Sequence, residues 1–350
     1  MSRMKDIINA MRSPANMVDP SLRGYSPVVQ GKDIMSASGA YCLVFPLKGK
    51  YDSKPSRCLR LWYTSDRDMG GIVSEAEKLA SLLPDPSVPQ MGRMRFIREA
   101  LRLPDEGEVI PGLEMPFLNR SLDYLLCSED KPNSYEYSLL ASNMMNLSSA
   151  MKESGISHGD LSPANVMVGP DLSLTLIDFD FLLWPSKGIR CPRQILGAAD
   201  YNRPDRVESP RSLADDHLAE QLIHLNLLAF SKDPSLNSAE NMGEATFFDS
   251  SDLVSPSAFR ASEGYRFLRG MGDSEVSHYL DRLLEAMECP YGKIPALCDL
   301  AYVPTPRRRF FSPMIPAPYC HECGRAMRKA DWIYCPHCGT PRRMIPSEAV

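Results

Sequence analysis

Three polar residues in one short stretch have the types and spacing for chemistry on phosphate. Residues 158–180 read HGDLSPANVMVGPDLSLTLIDFD, with Asp160, Asn165 five positions later and Asp178 thirteen beyond that, around two apolar runs. Carboxylate and carboxamide oxygens are the ligands a hard cation such as Mg2+ prefers, and a carboxylate can also orient a hydroxyl or accept its proton. Phosphoryl transfer asks for little beyond these two functions, because its loose transition state is stabilised mainly by position and charge. Asp160 is the candidate for the hydroxyl, and Asn165 and Asp178 are the candidates for the metal. The runs 166–168 and 173–177, separated by Gly169-Pro170-Asp171, predict a β-hairpin, with the polar groups on the loop before it and at its end. A buried hairpin whose Asp and Asn only make turns is the alternative at this point.

A second cluster lies near the carboxy terminus. Cys320, Cys323, Cys335 and Cys338 form CxxC-x11-CxxC, with Gly after each pair. Four thiolates at this spacing can close a tetrahedral zinc site, and a module of this size buries too little apolar surface to fold without one. A redox CxxC is the alternative, which the doubled pair disfavours. His321 and His337 lie inside the pairs and are poorly placed as ligands.

The remaining composition bounds the class. The chain has 350 residues and a formal net charge of −5, which argues against a general nucleic-acid binder. The charge is uneven: residues 302–350 hold eight Lys or Arg against three Asp or Glu, leaving 31 against 41 elsewhere. Six further cysteines, at 42, 58, 127, 191, 289 and 298, are scattered singly, the pattern of small buried residues in a reducing compartment. No apolar run is long enough to span a bilayer, and the first residues lack the apolar core of a secretory signal. The expected location is the cytoplasm.

Around the chemistry-bearing stretch, the pattern predicts a loosely ordered leader at 1–26 with one helical turn. Strands follow at 27–35, 40–47 and 57–63, a helix at 72–83, and strands at 94–101 and 112–118. Helices are expected at 121–127 and 135–154, the second ended by Gly155. A further helix opens at Asp216 with DHLAEQLIHLNLLAF, and another covers 275–287. A Pro- and Arg-rich linker at 302–318 precedes the cysteine module at 319–343. The expected fold class is α+β.

With these residues in place, the stretch resembles the catalytic and metal loops of the protein-kinase-like superfamily, HRDxxxxN followed by DFG. The resemblance implies a two-lobed fold, a strand-rich lobe at 27–118 and a helical lobe at 119–301, followed by a small four-cysteine zinc ribbon. It implies ATP and Mg2+ as cofactors beside Zn2+, and it implies site roles. RCLRLWY matches the strand of the phosphate-pairing Lys, with Arg60 in that place and Glu75 as its helix partner, Glu77 being the rival. Gly39, in Ser36-Ala37-Ser38-Gly39-Ala40, is what remains of a glycine-rich phosphate cover. Met115 would line the back of the adenine pocket, with the backbones of Pro116 and Leu118 meeting the base. His158 and Asp216 would anchor the catalytic loop, and Gly197 to Asp205, GAADYNRPD, is similar to the close of an activation segment.

The departures are Gly159 for Arg, Ser162 for Lys, Asp180 for Gly and Arg60 for Lys. Gly159 implies activity independent of activation-loop phosphorylation. A narrower resemblance is to bacterial kinases with zinc-ribbon or helix-hairpin-helix appendages, associated with a von Willebrand A protein and a metal-dependent phosphatase. The resemblance implies a Ser/Thr protein kinase that phosphorylates a partner protein and docks through the ribbon. Alternatives are an ATP-binding pseudokinase scaffold, favoured by the departures, and a small-molecule kinase, since HGDLSPAN resembles the loops of aminoglycoside and choline kinases. Nucleic acid would be bound only through the basic tail, and a membrane not at all.

Overall fold

The computed structural model describes residues 2–39, 41–63, 71–88, 90–104, 107–190, 195–237, 246–303, 314–329 and 331–346. Ala40 and Cys191, which the sequence singles out, and residues 304–313 of the Pro- and Arg-rich linker lie outside these residues. The chain divides into two compact units, Met1–Tyr302 and Val303–Val350.

The first unit mixes helix and sheet. Helix α1 (Ser2–Met11) precedes strands β1 (Tyr25–Pro27), β2 (Ala37–Ser38), β3 (Cys42–Gly49), β4 (Arg57–Trp62), β5 (Arg95–Arg102) and β6 (Val109–Pro116), with α2 (Ile72–Leu82) between β4 and β5. The sheet order is β1-β3-β4-β6-β5 with β2 beside β3, and every pairing is antiparallel. The strand expected at 27–35 breaks into β1 and a separate small hairpin, Val29–Gln30 with Asp33–Ile34, because Gly31 turns the chain at φ 65°.

Successive side chains of a strand point to opposite faces. Cys42, Trp62 and Leu113 face the main core shared with the later helices, whereas Leu43, Phe45, Leu47, Leu59 and Leu61 close over Ile7, Ala10 and Met11 of α1. Both faces are covered, which explains why CLVFPL and RCLRLW carry few polar residues instead of alternating. The loosely ordered leader is therefore corrected: α1 is a ten-residue helix whose Ile7, Ala10 and Met11 are fully buried. Its apolar stripe, Met4, Ile7, Ile8 and Met11, has helical spacing but covers only two turns, too few to stand out before its docking face is known.

The helical part comprises α3 (Leu122–Cys127), α4 (Ser134–Ser154), α5 (His217–Lys232), α6 (Pro256–Ala261), α7 (Glu263–Gly270) and α8 (Ser274–Glu288). Helix α4 starts with a reciprocal cap, Asn133 accepting from Tyr135 and Glu136 N–H while Glu136 returns to the Asn133 backbone, and ends at Gly155 in the left-handed region. Helix α5 is buried on every side from Leu218 to Phe230, so it shows no solvent stripe. Its polar residues bond to neighbouring elements: Glu220 accepts from Ser148 Oγ at 2.7 Å, and Gln221 Nε2 donates to Pro295 O at 2.8 Å. The expected hairpin forms from β7 (Val166–Val168) and β8 (Leu174–Leu176), paired antiparallel. No helix among the described residues is long and apolar enough to cross a membrane.

In the second unit, Met314–Pro316 pairs with Met344–Pro346 around two cysteine knuckles. Its buried core is small, Cys320, Met327 and Cys335 with Trp332 packed against them.

Candidate active site and metal centre

The loop before β7 is held by short-range bonds on all sides. Ser157 exchanges two backbone bonds with Leu183, at 2.9 and 2.8 Å, which ties the loop to the segment just beyond Asp180. His158 is fully buried: its Nε2 lies 2.7 Å from Ile177 O, and its Nδ1 receives the Asp160 N–H at 3.3 Å. A carbonyl cannot donate, so Nε2 carries the proton and Nδ1 accepts. Asn165 Nδ2 donates to Asp160 O at 2.8 Å, and Ile177 N–H donates to Asn165 O at 3.1 Å. The loops carrying Asp160, Asn165 and Asp178 are thereby stitched into one piece. Asp178 itself sits at φ 64°, a left-handed conformation uncommon for a side-chain-bearing residue.

Asp216 stands behind the loop and caps no N–H of its own helix. Its carboxylate accepts the Gly159 N–H at 3.0 Å and the Ser157 hydroxyl at 2.7 Å. Asp215 does something else, holding Arg211 Nη1 at 2.8 Å.

Gly159 proves to be a steric requirement. At φ +83° its Cβ would lie 2.2 Å from Phe181 O and 2.8 Å from both terminal nitrogens of Arg211. The place of a side chain at 159 is taken by the guanidinium of Arg211, which also donates to Phe181 O. Arg206, fully buried, donates to Gly159 O and, at 2.7 Å, to Asn202 Oδ1. Neither arginine was picked out from the sequence, because nothing in the spacing relates them to residue 159. The only local signal was a glycine in a position where a side chain was expected.

The sheet contributes Arg60, which is buried. The expected pairing with Glu75 is corrected: Arg60 donates from Nη1 to Asp178 Oδ1 at 3.0 Å, from Nη2 to Asp180 Oδ2, and from Nε to Cys42 Sγ at 3.1 Å. The guanidinium has two terminal arms where an ammonium has one point of charge, and Asp180 supplies a buried acceptor that Gly would not. Glu75 Oε2 is buried without a hydrogen-bond partner among the described residues, and Glu77 pairs with Arg98 at 2.6 Å. Gly39 adjoins this cluster through Cys42, donating its N–H to Cys42 O at 2.9 Å, and its carbonyl accepts from Tyr63 Oη at 2.9 Å.

Met115 lies opposite Cys58 in the β4–β6 register and packs half-buried against the main core. The Cys58 thiol is 3.4 Å from Pro116 O, and Phe117 N–H bonds to Ser56 O at 3.1 Å. Of the backbone groups expected to meet a base, Pro116 can therefore only accept, and Leu118 is half-buried next to it.

Burial pushes the Asp160 carboxyl up, with the Asp178 charge adding to the shift and the Arg206 guanidinium opposing it. A carboxyl raised in this way is better suited to taking a proton than an exposed one. Burial likewise pushes Asp180 up, against the attraction of Arg60.

The four cysteines of the second unit converge. All four Sγ atoms lie within 4.8 Å of one another, with Cys320 to Cys338 at 3.5 Å and Cys323 to Cys335 at 3.6 Å. Tetrahedral zinc with Zn–S near 2.3 Å requires S···S of about 3.8 Å, so this donor set fits zinc. Each knuckle is closed alike, Gly324 N–H to Cys320 O and Gly339 N–H to Cys335 O, both at 2.9 Å. Both glycines have positive φ, 68° and 73°, the turn back toward the thiol cluster that a Cβ would strain. His337 Nδ1 meets Arg325 Nη1 at 3.1 Å and His321 lies 3.8 Å from Glu322, so neither belongs to the thiol cluster. Arg342, in the basic tail, is committed inward, to Ala317 O and Lys329 O at 2.7 Å and to Met327 O at 3.1 Å.

Compared with known proteins, the chain matches no family model and no curated sequence.

Proposed function

We propose that the first unit is an ATP-dependent protein kinase with a two-lobed, protein-kinase-like fold, transferring the γ-phosphoryl group to a Ser or Thr hydroxyl of a partner protein. The observation that carries this reading is the stitching of the loop before β7 to the segment after β8 and to the start of α5: His158 links Asp160 N–H to Ile177 O, Asn165 links Asp160 O to Ile177 N–H, and Asp216 holds Gly159 N–H. A turn motif alone needs no such buried scaffold. Asn165 and Asp178 would hold Mg2+, whose charge would neutralise the nucleotide phosphates. Asp160 orients the acceptor hydroxyl. The acceptor oxygen bonds to the γ-phosphorus while the bond from that phosphorus to the β–γ bridging oxygen breaks, ADP leaves, and the hydroxyl proton passes to Asp160. The four-cysteine centre is a zinc ribbon that docks a protein partner, with a von Willebrand A protein and a metal-dependent phosphatase as the candidate associates. Cysteines scattered singly along the sequence fit work in the cytoplasm.

A second reading, an ATP-binding pseudokinase scaffold, is favoured by one observation: Arg60 already neutralises Asp178, the carboxylate a metal would need. Incubation with labelled ATP and Mg2+, with and without Asp160→Asn, separates the two. Label on a protein acceptor that the variant abolishes supports the kinase; nucleotide binding with no transfer supports the scaffold; neither binding nor transfer refutes both.

A further inference from the structure

Two residues that depart from the family pattern face each other across 120 positions of sequence: Arg60 in the place of Lys and Asp180 in the place of Gly. The Arg60 fork is divided, one arm on Asp180 and the other on Asp178, while Nε rests on Cys42 Sγ. The two carboxylates differ in access to water. The side chains of Arg60 and Asp180 are 6% and 8% exposed, and that of Asp178 is 41% exposed. A charge pair closed off from water stays closed, because parting it leaves two buried ions uncompensated, whereas an open carboxylate can exchange its partner for a cation or water.

We propose that Asp180 is the positioning residue of the nucleotide site: it is the fixed counter-ion of Arg60, so that the arm now on Asp178 turns to a nucleotide phosphate when Asp178 takes a divalent cation. This rests on the nucleotide-binding reading above. Without the Asp180 charge, Asp178 would be the only carboxylate bonded to the guanidinium, and the fork would close on it in bidentate fashion, competing with the metal. A Lys at position 60 would offer one point charge and could not hold a fixed partner with one arm while releasing the other. The two departures thus compensate each other. Glu75 is the rival counter-ion, since its buried Oε2 has no hydrogen-bond partner among the described residues.

The test uses the full chain with Asp180→Asn, Asp180→Glu, Glu75→Gln and the double variant Arg60→Gln/Asp180→Asn, reading the MgATP dissociation constant by calorimetry. Asp180→Asn should weaken MgATP binding at least about tenfold, as expected for losing the partner of a buried charge. Asp180→Glu should recover most of that loss, and Glu75→Gln should bind within about twofold of wild type, the range of an uninvolved side chain. Should Asp180→Asn fail to fold, the double variant, which leaves no buried charge unpaired, carries the test and should lose at least as much affinity. Wild-type affinity in Asp180→Asn or the double variant overturns the proposal, as does a Glu75→Gln loss equal to that of Asp180→Asn. A wild-type chain that binds no MgATP refutes the nucleotide reading and removes the positioning role with it. A wild type that binds while Asp180→Asn is unaffected refutes the positioning role alone.

Discussion

Replacing Gly159 with Ala adds one methyl group where the structure has no room for it. The backbone is at φ +83° and the new Cβ would stand 2.2 Å from Phe181 O, where ordinary contact begins near 3.4 Å. Left-handed φ costs Ala about 1 kcal/mol. Relieving the overlap requires roughly a 1 Å shift of the Phe181 carbonyl or of the loop, which endangers the charge-assisted bond from Arg211, about 2 kcal/mol. The loss of stability should therefore be about 3 kcal/mol or more, read as a lower urea midpoint at unchanged m-value. Displacement of Asp160 by this amount should lower phosphoryl transfer by about 100-fold. Gly155→Ala is the control: φ is also positive, +63°, but nothing lies within 4 Å of its Cβ, so only the strain of about 1 kcal/mol remains and transfer should be unchanged. Equal stabilities for the two variants, or wild-type transfer in Gly159→Ala, would refute the reasoning.

Asp216→Asn leaves one acceptor oxygen where two serve Gly159 N–H and Ser157 Oγ, and should cost about 1.5–3 kcal/mol in urea unfolding together with a fall in transfer. Wild-type values on both counts would show that Asp216 does not hold the loop. Burial depresses His224 from 6.5 to about 4, so its contribution is complete above 6.5 and is lost as pH falls toward 4, where the unfolded chain binds a proton that the fold rejects. About 3 kcal/mol of stability should disappear across that window, and His224→Gln should flatten this part of the pH–stability curve; an unchanged curve would contradict it. Zinc analysis should find one metal per chain, and chelation should abolish amide protection at 314–329 and 331–346, since Cys320, Met327 and Cys335 are too little core to hold that unit. Retained protection after complete metal removal would show that it folds by packing alone.

Much of what could be read from the sequence was local. Gly155 ends α4, Gly169 and Asp171 turn the hairpin, and the paired cysteines with their glycines close two knuckles, because each of these depends on the dihedral preferences and bonds of residues within a few positions. The polar set Asp160, Asn165 and Asp178 was visible for the same reason, lying at either end of one hairpin. What the spacing could not tell was decided by which faces meet. Residues 1–26 read as a leader until α1 is seen to bury Ile7 and Met11 against the sheet. Gly159 read as a missing arginine until Arg211, 52 positions later, is found occupying its side-chain space. Arg60 was assigned to Glu75 and instead bonds Asp178 and Asp180, 118 and 120 positions away. The sequence by itself determined the turns, the caps, the metal-ligand spacing and the residue types available for chemistry. Only the tertiary structure decided which charges neutralise one another, because a buried ion takes whatever counter-charge packing brings within reach, and that choice leaves no periodic trace along the chain.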